Sequence, residues 1–110
     1  MLNEYSQNLK NLIHELNQSH QDFFIRLKSE ILFVVQLPNK SIFCLLLNQN
    51  GIKELENCLE KENVVYINYH DLLRLINDPS KIVRYLFQGK IKLKGDTRFL
   101  KELIEILKAF

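Results

Sequence analysis

Five side chains in this 110-residue chain have the types needed for nucleophilic or metal chemistry: His14, His20, His70, Cys44 and Cys58. Zinc sites draw Cys and His ligands from close pairs along the chain. None of these five lies within five residues of another. His14 and His20 are six apart, so on a helix they point to different faces. His70 precedes Asp71 at an expected helix start, where capping is its expected role. Cys44 falls in an apolar run and is expected to be a small buried hydrophobe. Cys58 stands near Glu56 and Glu60, which disfavour a thiolate, so a Cys–His nucleophile is not expected. The pairs Glu54/Glu56 and Glu60/Glu62 lack apolar neighbours that would bury one partner, and they read as a solvated face rather than an acid/base pair. Gly89-Lys90 and Gly95 do not make a phosphate loop, which needs four residues between its glycines followed by Lys-Ser or Lys-Thr. The chain is therefore expected to be no enzyme and to carry no metal or cofactor.

Lys90, Lys92 and Lys94 share one face of an alternating segment, with Ile91 and Leu93 on the other. Such lysines guard a sheet edge. They also form a short comb for anionic membrane headgroups. The comb is too short to track a nucleic-acid backbone, and a net charge of +2 excludes a general nucleic-acid partner. Two well-separated cysteines suit a reducing compartment rather than a disulfide framework. Met1–Tyr5 has no basic, apolar leader pattern, and Ile31–Val35 and Ile42–Leu47 are too short to span a bilayer. The expectation is a cytoplasmic protein. With 46% hydrophobic and 25% charged residues, the chain falls within the range of one folded domain, residues 1–110.

The elements that would position any site follow from periodicity. Tyr5, Leu9, Leu12, Ile13 and Leu16 form one apolar stripe and predict a helix over 3–17, broken by the polar residues 17–20. Phe23–Leu27 is compatible with more helix or with the start of the next layer. Two nearly continuous apolar runs, 31–37 and 41–47, joined through Pro38-Asn39-Lys40, predict a β-hairpin with both faces covered. Residues 52–62 are ambiguous, with Ile52, Leu55 and Leu59 spaced for a short helix. A strand is expected over 63–68 and a short helix over 69–76. Asp78 and Pro79 then open a helix with Ile82, Val83, Leu86 and Phe87 as its buried stripe and Gly89 as its C-cap. Lys90–Lys94 is a half-buried strand. Asp96 or Thr97 caps a last helix whose broad apolar side includes Phe99, Leu100, Leu103, Ile104, Leu107 and Phe110. The fold class is α+β, with helices packed on a largely antiparallel sheet.

Three segments carry a family resemblance. Val64–Leu73 runs a strand into a short helix through a polar residue and an aspartate; Asn77-Asp78-Pro79 joins two short helices; Leu86–Asp96 combines a helix end, a glycine, a lysine-flanked strand and Gly-Asp. Their order and spacing resemble the sterol carrier protein 2 (SCP2) family. The resemblance implies a five-stranded, mostly antiparallel sheet covered by helices on one side, with an apolar tunnel between sheet and helices. It implies an acyl, sterol-like or polyprenyl ligand, and similar bacterial domains serve as accessory proteins of ubiquinone biosynthesis. On this resemblance the tunnel walls would be Leu72 and Ile76, then Ile82, Leu86 and Phe87, then Ile91 and Leu93, and Phe99, Leu103 and Leu107 from the last helix.

Holding such a ligand needs no catalytic group, because each buried CH₂ contributes about 0.8 kcal/mol. The same apolar faces also serve to fill an ordinary core. A second reading is therefore an interaction or accessory module with this fold, a filled core and no lipid. It is motivated by bulky Phe99 and Leu100, where family members have small residues.

Overall fold

Apolar strand segments and helical stripes assemble into an α+β domain. The computed structural model describes residues 4–19, 21–58, 61–95 and 99–109. In chain order the elements are α1 (Glu4–Ser19), α2 (Gln21–Ile25), β1 (Ile31–Gln36), β2 (Ile42–Asn48), β3 (Gly51–Leu55), β4 (Val64–Asn68), α3 (Tyr69–Asn77), α4 (Ile82–Phe87), β5 (Ile91–Lys94) and α5 (Phe99–Ala109). A 3₁₀ turn, Pro79–Lys81, precedes α4. Phe23–Leu27 thus begins inside a short helix, α2.

The five strands lie in the order β3-β2-β1-β4-β5. Three pairings are antiparallel and β1–β4 is parallel. One face of the sheet contributes Phe33, Val35, Leu45, Val65, Ile67 and Ile91 to a core shared with Leu9, Phe24, Leu75 and Leu103 of the helices. The opposite face carries a separate cluster, Leu32, Cys44, Leu46 and Val64. Burial on both faces explains why the two hairpin strands read as continuous apolar runs rather than alternating ones.

The first part of the ambiguous segment is a strand: residues 51–55 form β3, paired to β2 from Cys44↔Leu55 to Asn48↔Gly51. The turn decides this. Gly51 adopts φ 109°, and Asn48 accepts a hydrogen bond from the Asn50 N–H at 2.9 Å, closing a tight hairpin. Asn17 then occupies the open side of β3. Its side chain donates to the Ile52 carbonyl and accepts from the Ile52 N–H, both at 2.8 Å. An amide that both donates and accepts imitates one rung of a neighbouring strand, which shields an edge and anchors α1 at its C-terminal end. Asn17→Ala removes both bonds and is expected to lower stability by about 2 kcal/mol, read as a lower urea midpoint at unchanged slope. An unchanged midpoint would refute the anchoring role.

The cysteines are a second correction. Cys44 and Cys58 form a disulfide across a Cα separation of 5.5 Å. Spacing along the chain misled, because the pair is made by topology. Both β1 and β3 run antiparallel to β2, and β4 runs parallel to β1, so β3 and β4 point the same way. Residues 56–63 must therefore cross the sheet. Cys44 belongs to the outer cluster, so its bond to Cys58 lays the crossing on the face opposite the helices. The argument from scattered thiols to a reducing compartment no longer holds.

Helix starts and stripes also differ in detail. His70 does not cap α3. Asn68 does, accepting from the Asp71 N–H at 2.9 Å while its amide donates to Asp71 Oδ2 at 2.8 Å. The His70 ring instead packs edge-on against Tyr69. Asp78 accepts from the Ser80 hydroxyl, and its carbonyl takes the Lys81 N–H. The stripe of α4 is Ile82 and Tyr85, with Leu86 partly buried, while Val83 and Phe87 face outward. A helix of six residues turns fewer than two times, so only one narrow side reaches the core. The expected caps of α5, Asp96 and Thr97, lie outside the described residues.

Candidate functional site

Where α1 crosses the inner face of the sheet, its apolar stripe does not fully fill the space beneath. Leu9, Leu12, Ile13 and Leu16 form the roof of a small cavity. Its floor is Phe33 of β1, Leu45 and Leu47 of β2 and Ile52 of β3, and Leu72 and Ile76 of α3 close one side. The free volume is about 30 Å³, close to the space of a single water molecule. All ten lining residues are apolar, so nothing there holds a water in place. Pockets for drug-sized ligands span about 300–1,000 Å³. As it stands the cavity is far too small for an acyl chain.

Among the described residues, side-chain hydrogen bonds tie α1 to the rest of the domain near its two ends. At one end Asn8 donates to the Tyr69 hydroxyl at 3.2 Å, and the Tyr5 ring packs on Tyr69 with centroids 5.0 Å apart. At the other end stands the Asn17–Ile52 pair. Lys10 and Glu54 approach to 3.8 Å, a half-exposed pair of little weight. The β-sheet and α3, by contrast, are tied by backbone ladders and the Asn68–Asp71 cap, with buried Asp71 also accepting from Arg74 at 3.2 Å.

Of the side chains expected to line a tunnel, Leu72 and Ile76 border this cavity. Ile82, Ile91 and Leu103 are buried in the same core, and Leu86 and Leu93 are partly buried against it, away from the void. Phe87 stands in solvent. The side chains of Phe99 and Leu107 lie outside the described part. Sequence reasoning did not include the α1 residues or the inner β1–β3 residues among the walls. Their signal was present: the stripe at Leu9, Leu12, Ile13 and Leu16, and the shared strand parity of Phe33, Leu45 and Leu47.

Apart from the Cys44–Cys58 disulfide, the described side chains with nucleophilic or metal-binding chemistry are dispersed. His14 is hydrogen-bonded to Gln18, and His20 and Glu60 lie outside the described residues. Glu54, Glu56 and Glu62 are exposed. Among the described residues no three of His, Cys, Asp and Glu converge. Two carboxyls are held below their ordinary range: Glu30, by hydrogen bonds from Lys61 and Asn48, and Asp78, by the Ser80 hydroxyl. Neither borders the cavity. No titratable group does.

The outer face of the sheet bears a larger depression, about 670 Å³, open to solvent. Val34, Ile42 and Tyr66 form its apolar floor, and Lys40, Lys90 and Lys92 rim it. An open saddle leaves most of an apolar chain in water, so the cavity beneath α1 is the better candidate for one. Among the described residues no helix is long and apolar enough to cross a membrane.

Comparisons with known proteins agree with this architecture. Solved structures share the fold at low identity. Sterol carrier protein 2 like 2 from Aedes aegypti superposes with a TM-score of 0.70 at 13% identity, covering 92% of this chain and 97% of that one. Aedes aegypti sterol carrier protein 2, solved in complex with the C16 fatty acid palmitate, gives 0.66 at 11% identity, covering 96% of each chain. The ubiquinone synthesis protein UbiJ gives 0.61 at 14% identity, with 91% and 92% covered. No curated protein sequence matches. The family model of the SCP-2 sterol transfer family matches residues 9–108, nearly the whole chain, and the protein belongs to that family.

Proposed function

We propose that the protein holds a long apolar molecule between α1 and the sheet, for transport or presentation, and performs no reaction on it. The observation that carries this reading is a small, wholly apolar cavity between the sheet and a helix hydrogen-bonded near its two ends. Release of one end lets α1 lift and the cavity grow. An acyl or prenyl chain then replaces the helix–sheet contacts, each CH₂ contributing about 0.8 kcal/mol. The palmitate complex of the Aedes protein supports a fatty acyl ligand, and the likeness to UbiJ supports a polyprenylated quinone precursor as the alternative cargo. The walls expected from sequence belong to the enlarged site: Leu72 and Ile76 first, with Ile82, Leu86, Ile91, Leu93, Phe99, Leu103 and Leu107 reached as the core opens. Contact of Lys90, Lys92 and Lys94 with the membrane surface where such cargo is collected belongs to the same reading.

One observation favours a second reading. A void of about 30 Å³ is nearly a filled core, as an interaction module without a ligand would have. Native mass spectrometry of the purified protein, followed by organic extraction, separates the two. The carrier reading expects near-stoichiometric lipid, or a rise in Tm on adding palmitate, since a ligand at a hundred times its Kd stabilises by about 2.7 kcal/mol. A clean apo mass with no thermal shift from fatty acids or isoprenoids would remove the carrier reading and leave the filled-core module.

A further inference from the structure

Charge is distributed unevenly along this chain. Between Pro79 and Gly95 there are five cations (Lys81, Arg84, Lys90, Lys92 and Lys94) and no acidic residue, so this segment is +5 while the rest of the chain is net −3. The same segment holds the most exposed aromatic side chain among the described large hydrophobics. Phe87 is 89% exposed, and Val83, four residues earlier on the same side of α4, is 52% exposed. Neither exposure arises from a badly formed helix. Ile82 and Tyr85 face the core, and the end of α4 closes as a Schellman turn. Gly89 has φ 73°, its N–H meets the Leu86 carbonyl at 3.2 Å, and the Lys90 N–H meets the Tyr85 carbonyl at 2.9 Å. This turn stops the helix directly after Phe87 and sends the chain back into β5. Lys90 is held at the same corner, its ammonium 4.8 Å from the Tyr85 ring. Arg84 is exposed beside the apolar pair, and Lys92 and Lys94 stand exposed on β5.

We infer that the α4–β5 corner docks the protein on an anionic lipid bilayer, with Phe87 and Val83 entering the headgroup–acyl boundary and Arg84 and Lys90 meeting lipid phosphates and carboxylates. The inference deepens the proposed role as a lipid holder and rests on it only for its purpose. A projecting aromatic with cations around it is the arrangement by which a surface helix binds an interface: the apolar side chains leave water and the charges follow the negative surface potential. No carboxylate interrupts residues 79–95, with Asp78 and Asp96 at their two borders. A protein partner fits less well. A standard interface covers about 800 Å² on each side, whereas one aromatic side chain buries at most about 250 Å², and α4 is only six residues long. Phe87 also stands clear of its own neighbours rather than bordering a groove, so it inserts into a partner instead of receiving one.

The chain contains no tryptophan, so Phe87→Trp places a single fluorophore at the tip of the corner. Its emission should shift to shorter wavelength on adding phosphatidylcholine vesicles containing a third phosphatidylserine. The shift should be absent with phosphatidylcholine alone and should weaken with salt. In vesicle co-sedimentation, Phe87→Glu should reduce the bound fraction about tenfold or more. Arg84→Ala and Lys90→Ala should each reduce it about fivefold. An unshifted tryptophan with anionic vesicles overturns the proposal. So does a Phe87→Glu protein that sediments like the wild type, or a wild-type dimer that Phe87→Glu dissociates, which would give the face to a second copy. Lipid carriage is read separately, on the wild-type protein. Vesicle binding without carried lipid defeats the carrier reading and leaves the docking face standing; carried lipid without vesicle binding does the reverse.

Discussion

Cys58→Ser is expected to lower the unfolding free energy of the oxidised protein by about 3 kcal/mol, and its Tm by about 10 °C or more. The bond closes a loop from Cys44 to Cys58, a sequence separation of 14. Closing a loop of that length removes conformational freedom chiefly from the unfolded chain. The loop also contains β3 and the start of the crossing over the outer face, so the bond fixes an edge strand and its exit together. Cys58 is the position to change, because it is exposed. Serine at Cys44 would put a hydroxyl among Leu32, Leu46 and Val64 and add an unrelated penalty. Reductant should bring the wild type down to the variant and leave the variant unmoved. Equal melting curves without reductant, or two free thiols by intact mass under non-reducing conditions, would refute the bond. Trapping thiols at lysis answers a second question. An oxidised pair in cells points away from a strongly reducing compartment.

Leu72→Ala should cost about 2–5 kcal/mol in the unliganded protein, the range for deleting a buried leucine. Leu72 is 5% exposed and borders the cavity under α1, so its removal enlarges an existing void that the rigid sheet prevents from collapsing. The two functional readings then diverge. If the space under α1 holds lipid, palmitate raises the Tm of both wild type and variant. If the core is merely filled, palmitate moves neither, and the loss stands. Because no titratable group borders the cavity, the stabilisation by an uncharged prenyl ligand should not vary as protein groups ionise there.

Local pattern carried most of the secondary structure. The stripe from Tyr5 to Leu16 is long enough to fix α1 within two residues at each end, and the alternation of Lys90–Lys94 placed Ile91 and Leu93 inward and the lysines outward. Residues 52–55 stayed ambiguous because apolar residues at helical spacing compete with a hairpin turn whose closure depends on Gly51 and on the partner strand. The stripe of α4 failed for a related reason. Tyr85, not Phe87, turns inward, since the Pro79 turn and the Gly89 cap set the rotation of so short a helix.

The family was legible in the sequence, and Leu72 and Ile76 among the expected walls border the cavity. Composition, spacing and three adjoining segments were enough to indicate an α+β lipid-holding family, because turn chemistry and hydrophobic period are encoded within a few neighbouring residues. The partners that shape the cavity are not neighbours. Leu9 and Leu72 are brought together by docking α1 and α3 on one face of the sheet, Asn17 finds Ile52 across 35 positions, and Cys44 finds Cys58 only because β3 and β4 run the same way and force a crossing. Each of these pairings is created by strand order and helix placement. Packing sets how much volume remains beneath α1, and the same packing leaves Phe87 in water.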